Sequence, residues 1–470
     1  MSTPTWTRHL ATLAACALGL TALITANGLR AGTLVVTTLD DSGPGSLRQA
    51  TADAHPGDTI TFACNGTITL TSGALVIFQD LTIEGPGPKK LKISGNQADR
   101  VFVVAGGAVT IAGVTIRDGL ADGNSFIMPC TGGGILNFSS LTLVNDIVCD
   151  NQALGQGGQS PFGPGIGSAG GVFNFGTLRV ADTSFSRNRA RGGDGGDGFY
   201  AGHAAAGAIG NVGILSIIGS TFSHNQALGG HDNSGPMGAG SCVGGAIWTG
   251  DMGLGPAWQE LRDSRLDHNQ AIGGDGAPPG TSWGVGGAIQ FLNGNGTISG
   301  CVFDHNDAIG GAGVPGGVGA WGMGGAINAS GMSSVTINES TVDHNLAQGG
   351  PGGLGGNGGG AGGGGLRSES EGVLTVINTT VAHNHAQGGT GSAGGTGGDG
   401  VGGGCAIWYG SLSLQGATVT QNLALGGGPG GQGIGGGVNN YLGVFTFDGS
   451  TVITKNQATT RSDNVENVTP

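Results

Sequence analysis

Histidine is the residue type whose spacing most directly suggests chemistry in this chain. Five of the ten histidines occupy one position of a repeated unit, directly before an asparagine: His224, His268, His305, His344 and His383. Aspartate precedes three of them, as Asp267, Asp304 and Asp343. Imidazole and carboxylate groups bind transition metals, so a metal site is one hypothesis. The favoured interpretation is a duplicated turn residue without a ligand, because neighbouring repeats often copy one another.

Two glycine-rich segments match the calcium-binding nonapeptide pattern G-G-x-G-x-D-x-U. One spans residues 192–199 and contains Asp197, and the other spans 394–401 and contains Asp399. Calcium in this motif binds between consecutive tandem copies, whereas each of these segments stands alone. A flexible or polyglycine-like loop is therefore favoured over a calcium site, and no other cofactor is predicted.

Four tryptophans are candidates for a partner-binding surface. Trp283 and Trp321 lie at the same distance before the Ile of their repeats, which predicts that they stack on neighbouring turns of the chain. Together with Trp248 and Trp408 they would form an aromatic strip for sugar rings or a protein partner. Anchoring of loops is the alternative role and is slightly favoured.

Carboxylate pairs suited to cleaving a polysaccharide are scarce. Glycoside hydrolysis requires two carboxyl groups held on either side of the scissile bond. Asp40–Asp41 is the only pair of adjacent acidic residues, and a capping role suits it better. The polygalacturonase-like motifs N-T-D, G-H-G and R-I-K are absent. An enzyme is therefore the less favoured interpretation.

The candidate residues recur because the chain is built from a repeated unit. Asparagines close nine copies at spacings of about 34 to 44 residues. They are Asn151, Asn188, Asn225, Asn269, Asn306, Asn345, Asn384, Asn422 and Asn456. A Gly-Gly-Ala-Ile segment, or a close variant, recurs once in each of these copies. Each copy contains three short segments of alternating apolar and polar residues, and a loop of about 15 residues rich in glycine joins the copies.

This pattern predicts an all-β fold, a right-handed parallel β-helix with a short N-terminal capping helix and long Gly-rich loops. Equivalent residues then stack at about 4.8 Å per rung. Phe185, Phe222 and Phe303 would join one internal apolar ladder. The recurring asparagine would adopt a left-handed turn conformation and bond through its amide to its neighbours. Helical character over residues 45–54, with Ser46 as the cap, predicts a lid on the first rung.

The expected organisation has five parts. Residues 1–31 read as a signal peptide, because Arg8 and His9 precede an apolar run that ends at Ile24. Residues 32–62 form an N-terminal cap and first strand, 63–130 N-terminal rungs, 131–456 nine Gly-rich repeats, and 457–470 a polar, mobile tail. No transmembrane span is predicted after signal removal. The six cysteines that then remain permit disulfides, but their spacing selects no pairing.

The opening segment and the repeats each resemble a known group of proteins. Pro44-Gly45-Ser46-Leu47-Arg48-Gln49-Ala50 resembles the CSLREA-type opening of bacterial secreted β-helix proteins, with Gly45 and Gln49 in place of that motif's cysteine and glutamate. The G-G-A-[ILV] and F-x-x-N motifs, as in residues 185–188, resemble the repeats of chlamydial polymorphic outer membrane proteins. These resemblances cover residues 33–456 and imply a parallel β-helix, export and, often, adhesion.

The favoured function is a non-catalytic, secreted or surface-associated scaffold, adhesin-like, that binds a glycan or a protein. A polysaccharide lyase, hydrolase or epimerase acting on uronate-type polymers is the alternative. The net charge of −13 makes nucleic acid an improbable partner, since no basic stripe is present to neutralise phosphates.

Overall fold

Short strands with one buried face make up nearly all of this chain, and they stack into a parallel β-helix, as the sequence predicts. The computed structural model describes residues 31–125, 127–157, 165–196, 202–234, 240–253, 255 and 257–468. Residues 1–30 of the predicted signal peptide lie outside these ranges. Within them, no helix is long and apolar enough to cross a membrane.

Residues 322–348 represent one turn of the β-helix. The strands of this turn are Gly322–Met323, Ile327–Ser330, Ser334–Asn338, Thr341–Asp343 and Leu346–Gln348. Each pairs in parallel with its equivalent on the preceding turn. The described residues thus form five parallel sheets, numbered 1 to 5 here in the order of these strands.

Sheets 2, 3 and 4 run along nearly the whole described β-helix, whereas sheets 5 and 1 begin on later rungs. Their first and last strands are Gly167–Ser168 and Gly433–Ile434 in sheet 1, Leu75–Ile77 and Val465–Val468 in sheet 2, Thr33–Val36 and Val444–Phe447 in sheet 3, Gly66–Thr69 and Val452–Thr454 in sheet 4, and Leu120–Ala121 and Gln457–Ala458 in sheet 5. Parallel pairing in register places equivalent side chains directly over one another.

The core is a set of apolar ladders between sheets 2, 3 and 4. In Ser334–Asn338 the side chains of Val335 and Ile337 are buried and alternate with outward-facing residues. The predicted phenylalanine ladder is confirmed in sheet 4, where the rings of Phe185 and Phe222 stack with centroids 4.8 Å apart. Phe222 is followed in register by Leu266 on the next rung.

The predicted asparagine ladder is also confirmed, although its backbone conformation differs from the prediction. Nδ2 of Asn225 donates to Oδ1 of Asn269 at 2.9 Å and to the carbonyl of Phe185 at 3.0 Å. The left-handed residue is the one before the asparagine, as at His224 with φ 56° and Arg187 with φ 53°. The prediction was wrong on this point because the asparagine must turn its side chain inward, and the preceding residue makes the turn.

Sheets 1 and 5 correct the prediction of three strands per repeat joined by a flexible loop. The start and the end of each Gly-rich segment pair from rung to rung and pack on each other through small side chains, among them Ala347, Ala361 and Ala386. A Cβ on Gly322 would lie 2.2 Å from the carbonyl oxygen of Gln348. Glycine is thus required here by the close approach of two backbones.

Between sheets 5 and 1 the glycine segments of residues 349–360 and 388–399 form an ordered stack rather than projecting loops. The backbone N–H of Gly350 donates to the carbonyl of Ala320, and Gly359 donates to Gly350, each at 2.8 Å. On the next rung Gly389 donates to Gly359, and Gly398 to Gly389. Each segment is therefore bonded to itself and to the rung before it.

A helix covers the N-terminal end of the β-helix, whereas the last strands of sheets 3 and 4 leave Phe447 and Val452 exposed. Leu47–Asp53 forms the predicted capping helix, the Ser46 side chain accepts from the N–H of Gln49, and Leu47 is fully buried in the core. The C-terminal tail is not the free segment that was predicted, because Gln457–Ala458 and Val465–Val468 add strands to sheets 5 and 2.

The six cysteines that follow the predicted signal peptide carry free thiols. Burial raises the pKa of the Cys301 thiol to about 11 and that of Cys405 to about 12. Both thiols are therefore protonated at neutral pH and pack as small apolar side chains.

Candidate functional site

The five repeated histidines form a continuous stack at the corner between sheets 4 and 5, here called the imidazole column. Each histidine follows a sheet 4 strand in a left-handed conformation, which turns its ring outward while the next asparagine points inward. The ring centroids of His224, His268, His305 and His344 lie 5.0 to 5.1 Å apart, with interplanar angles of 2° to 4°. His383 continues the column at 4.7 Å from His344.

Aspartates orient most of these rings. Nδ1 of His268 lies 3.1 Å from Asp267, Nδ1 of His305 lies 2.7 Å from Asp304, and Nδ1 of His344 lies 3.0 Å from Asp343. Partial burial opposes ionisation of Asp304, but hydrogen bonds from Arg265 and His305 outweigh it, so the pKa of Asp304 is lowered. Asp304 is therefore ionised, and all three carboxylates lie close enough to Nδ1 to hold the imidazoles in one orientation.

The position of the imidazole column is occupied by other polar residues on the flanking rungs. Asp118, Asp150 and Arg187 precede His224, and Gln421 and Lys455 follow His383; all have positive φ. Arg187 binds Asp150 with an N–O distance of 2.7 Å, and Arg117 binds Asp118 at the same distance. Burial works against ionisation of Asp150, yet its arginine partner Arg187 lowers its pKa.

The first residues of the sheet 5 strands add a second row beside this position. Gln226 donates to Gln270 at 2.9 Å, and Gln270 donates to Asp307 at 3.0 Å. Burial raises the pKa of Asp307. Further along, His385 lies near the end of the imidazole column. Its pKa is lowered mainly by partial desolvation and also by the charges of His344 and His383.

We call these two rows together the polar strip. It comprises Asp118, Asp150, Arg187, His224, His268, His305, His344, His383, Gln421 and Lys455 in the first row, and Gln152, Arg189, Gln226, Gln270, Asp307 and His385 in the second. Leu346 interrupts the second row between Asp307 and His385.

The predicted tryptophan strip does not form as a single surface. Trp248 is buried in a cluster with Phe173 and Leu136, between sheets 1 and 2. Trp283 is 40% exposed and donates from Nε1 to the carbonyl of Gly280. The prediction that Trp283 stacks on Trp321 was wrong. Their strands are neighbours, yet in the described structure the ring that contacts Trp321 is that of Trp408.

Trp321 and Trp408 instead enclose an arginine. The Arg367 guanidinium lies 5.7 Å from the Trp321 ring centroid and 5.9 Å from that of Trp408. Arg367 is 4% exposed and pairs with Glu369 at 2.9 Å. These two tryptophans therefore serve to bury a charge between the sheets, which favours the anchoring role.

An exposed apolar groove that sequence reasoning missed lies at the corner between sheets 2 and 3. Phe138 and Phe175 stack with centroids 5.2 Å apart, and Phe175 and Ile214 line the groove. Ile214 is 53% exposed, and Trp258 beside it in sheet 3 is 44% exposed. The alternation of inward and outward positions along these strands predicts that Ile214 and Trp258 face outward. It gives no reason for an apolar residue at either position.

Of the two calcium candidates, only Asp399 lies among the described residues. Oδ1 of Asp399 accepts from the N–H of Gln432 at 2.8 Å, so its side chain ties one Gly-rich segment to the next. Asp197 lies outside the described residues.

Comparison with known proteins gives structural neighbours of low similarity. No family model and no curated protein sequence matches this chain. A mannuronic-acid-specific polysaccharide family 6 lyase from the human gut microbiota aligns with 10% identity and a TM-score of 0.38, over 88% of this chain and 87% of the lyase. Tailspike protein 3 of bacteriophage CBA120 aligns with 9% identity and a TM-score of 0.36, over 86% of this chain and 57% of the tailspike. The A-module of a mannuronan C-5 epimerase from Azotobacter vinelandii aligns with 10% identity and a TM-score of 0.33, over 89% and 93% of the two chains. These similarities are too low to transfer an activity to this chain.

Proposed function

We propose that this chain is a secreted or surface-associated β-helix scaffold, adhesin-like, that binds a polysaccharide along the polar strip without cleaving it. The resemblance of residues 44–50 to CSLREA-type openings, and of the repeats to polymorphic outer membrane proteins, supports export and adhesion.

One observation carries the proposal: the first row of the polar strip places a hydrogen-bonding side chain at the same position on successive rungs. The imidazole rings recur every 4.7 to 5.1 Å over five rungs. A linear polysaccharide also repeats similar groups along its length. A catalytic centre, by contrast, requires a few groups converging on one bond.

The chemistry of the polar strip suits sugar hydroxyl groups. Amides such as Gln226 donate and accept, ionised carboxylates such as Asp150 accept, and imidazoles do either. The arginines of the strip, Arg187 and Arg189, lie at one end, and the chain has a net charge of −13. A neutral polysaccharide is therefore favoured over a polyanion.

A glycan array that carries neutral and uronate-containing polysaccharides tests the proposal. The protein without residues 1–31 and without a purification tag is expected to bind neutral polysaccharides. The double variant His268→Asn/His305→Asn keeps residues that tolerate the left-handed conformation but removes two central imidazoles. We expect it to weaken binding at least about tenfold, about 0.7 kcal/mol or more per side chain.

Thr336→Ala/Thr375→Ala on the outer face of sheet 3 is the matched control, because it removes two side chains at rung spacing from another face. It is expected to bind as the unmodified protein does. Binding to no glycan, to a protein alone, or with equal affinity by the histidine variant would each contradict the proposal.

A polysaccharide-cleaving enzyme is the second candidate, and Asp304 and Asp307 favour it. They flank His305 and Asn306, and their environments shift their pKa values in opposite directions: that of Asp304 is lowered and that of Asp307 is raised. Such a divergence distinguishes a carboxylate base from a carboxylic acid in many glycan-cleaving sites.

Incubation with neutral and uronate polymers separates the two candidates. The scaffold proposal predicts that polymer length stays unchanged over a long incubation. The enzyme candidate predicts shortening that Asp307→Asn abolishes and Asp182→Asn, an exposed carboxylate on another corner, leaves unaffected.

A further inference from the structure

The imidazole column changes its geometry at one end. Between His224 and His344 the rings are parallel within 4°, but His383 approaches His344 to 4.7 Å and tilts by 15°. At this step Asp343 contacts two imidazoles, with Nδ1 of His383 at 2.8 Å from Oδ1 and Nδ1 of His344 at 3.0 Å from Oδ2.

The sequence explains why the groups converge here. His268, His305 and His344 each follow an aspartate of their own rung, whereas Ala382 precedes His383. The ring of His383 therefore turns to the carboxylate one rung away. As a result, one oxygen of Asp343 and one nitrogen of each of His344 and His383 lie within 4.8 Å of one another.

We propose that Asp343, His344 and His383 bind one divalent transition-metal ion. Two imidazole nitrogens and a carboxylate oxygen form a donor set that Zn²⁺ accepts with water in the remaining position. All three side chains are partly exposed, at 30%, 48% and 39%, so an ion can reach them from solvent. Ligation through Nδ1 places the proton of each neutral imidazole on Nε2.

The other rungs of the column lack this arrangement. Asp267 and Asp304 each orient the histidine of their own rung, and each also binds Arg265, whose guanidinium lies 3.5 Å from Asp267 and 2.5 Å from Asp304. A guanidinium at these carboxylates opposes a cation there. The site is therefore specific to the Asp343 end, and it is independent of whether the polar strip binds a glycan.

Cobalt titration of the chelator-treated, tag-free protein tests the site, because Co²⁺ in a tetrahedral nitrogen and oxygen environment absorbs visible light. We expect saturation at one Co²⁺ per chain and displacement by Zn²⁺. Asp343→Asn, His344→Asn and His383→Asn should each weaken binding at least about tenfold. Asparagine tolerates the left-handed conformation of both histidines, so these variants should keep their melting temperature without metal.

His268→Asn is the matched control, since it removes an imidazole from the same left-handed position of another rung. It should bind Co²⁺ with the affinity of the unmodified protein. Absence of saturable binding, or an equal loss in His268→Asn and His383→Asn, would overturn the proposal. Glycan binding by the metal-free protein, measured separately, distinguishes this outcome from failure of the scaffold function.

Discussion

Nδ2 of Asn306 donates to Oδ1 of Asn345 on the next rung at 2.9 Å and, at the same time, to the carbonyl oxygen of Leu266 at 3.0 Å. Oδ1 of Asn306 accepts from the N–H and the Nδ2 of Asn269. All of these atoms are buried, so the asparagine column satisfies backbone groups that the turn between sheets 4 and 5 would otherwise leave without partners.

Replacement of one member of this column should be costly. Asn306→Ala leaves the Leu266 carbonyl and the amide of Asn269 unpaired in the core, and we expect a loss of about 3 kcal/mol or more. Thermal unfolding followed by circular dichroism measures it. Asn338→Ala, on the outer face of sheet 3, should change the melting temperature little; an equal loss in both variants would contradict a special role for the column.

The Gly-rich stack should tolerate no side chain at its bonded positions. A Cβ on Gly389 would lie 2.0 Å from the carbonyl oxygen of Gly350, whereas a Cβ on Gly449 would meet nothing within 4 Å. Gly389→Ala should therefore destabilise the protein by about 1–3 kcal/mol and speed hydrogen exchange in residues 349–398. Gly449→Ala should leave both unchanged. Unaltered exchange in Gly389→Ala would mean that the stack is not formed in solution.

The phenylalanine ladder supplies a test of core packing. Phe222 is fully buried, with Phe185 on one side and Leu266 in register on the other. Phe222→Ala should cost about 3–5 kcal/mol, because the rungs hold the cavity open. Phe222→Leu should cost less than half as much, since leucine already fills this position on the next rung. Equal losses would indicate that the ladder does not discriminate by volume.

The sequence predicts those parts of the fold that depend on repetition. The spacing of the asparagines identifies the rungs, and the alternation of Val335 and Ile337 with polar residues identifies a buried face. Stacking of the histidines follows from register alone. Ser46 before Leu47 predicts the capping helix, because a serine at that place satisfies the first backbone donors of a helix.

Other features depend on contacts that repetition does not specify. Glycine gives no direct sign of its neighbours, so the pairing of Gly322 with Gly284 and Ala361 could not be predicted from composition. Trp248 and Trp283 occupy different positions in their repeats, and only the structure shows that one is buried and the other exposed. The contact of Asp343 with His383 depends on Ala382, which stands on the next rung at the position that Asp343 occupies on its own rung.

A buried carboxyl group gives the last prediction. Asp146 occupies a column that is otherwise filled by small side chains, with Thr183 and Ser220 on the following rungs, and it is 2% exposed. It accepts from the N–H of Val114 at 2.8 Å and of Val144 at 3.2 Å. Burial outweighs these bonds and raises the pKa of Asp146 to about 8.

Because the pKa is higher in the folded state, the unfolded chain releases the proton first as the pH rises. The stabilising contribution of the protonated group is complete below the unfolded value of 3.8 and is lost as the pH rises through about 8. Between these values the loss amounts to at most about 1.4 kcal/mol per pH unit.

Asp146→Ser, which supplies the hydroxyl found on the next rungs, should therefore gain stability relative to the unmodified protein between pH 5 and pH 8. Melting temperatures across this range measure the gain, and Thr183→Ser should show none. A constant difference between Asp146→Ser and the unmodified protein would mean that Asp146 is already ionised in the folded chain at pH 5.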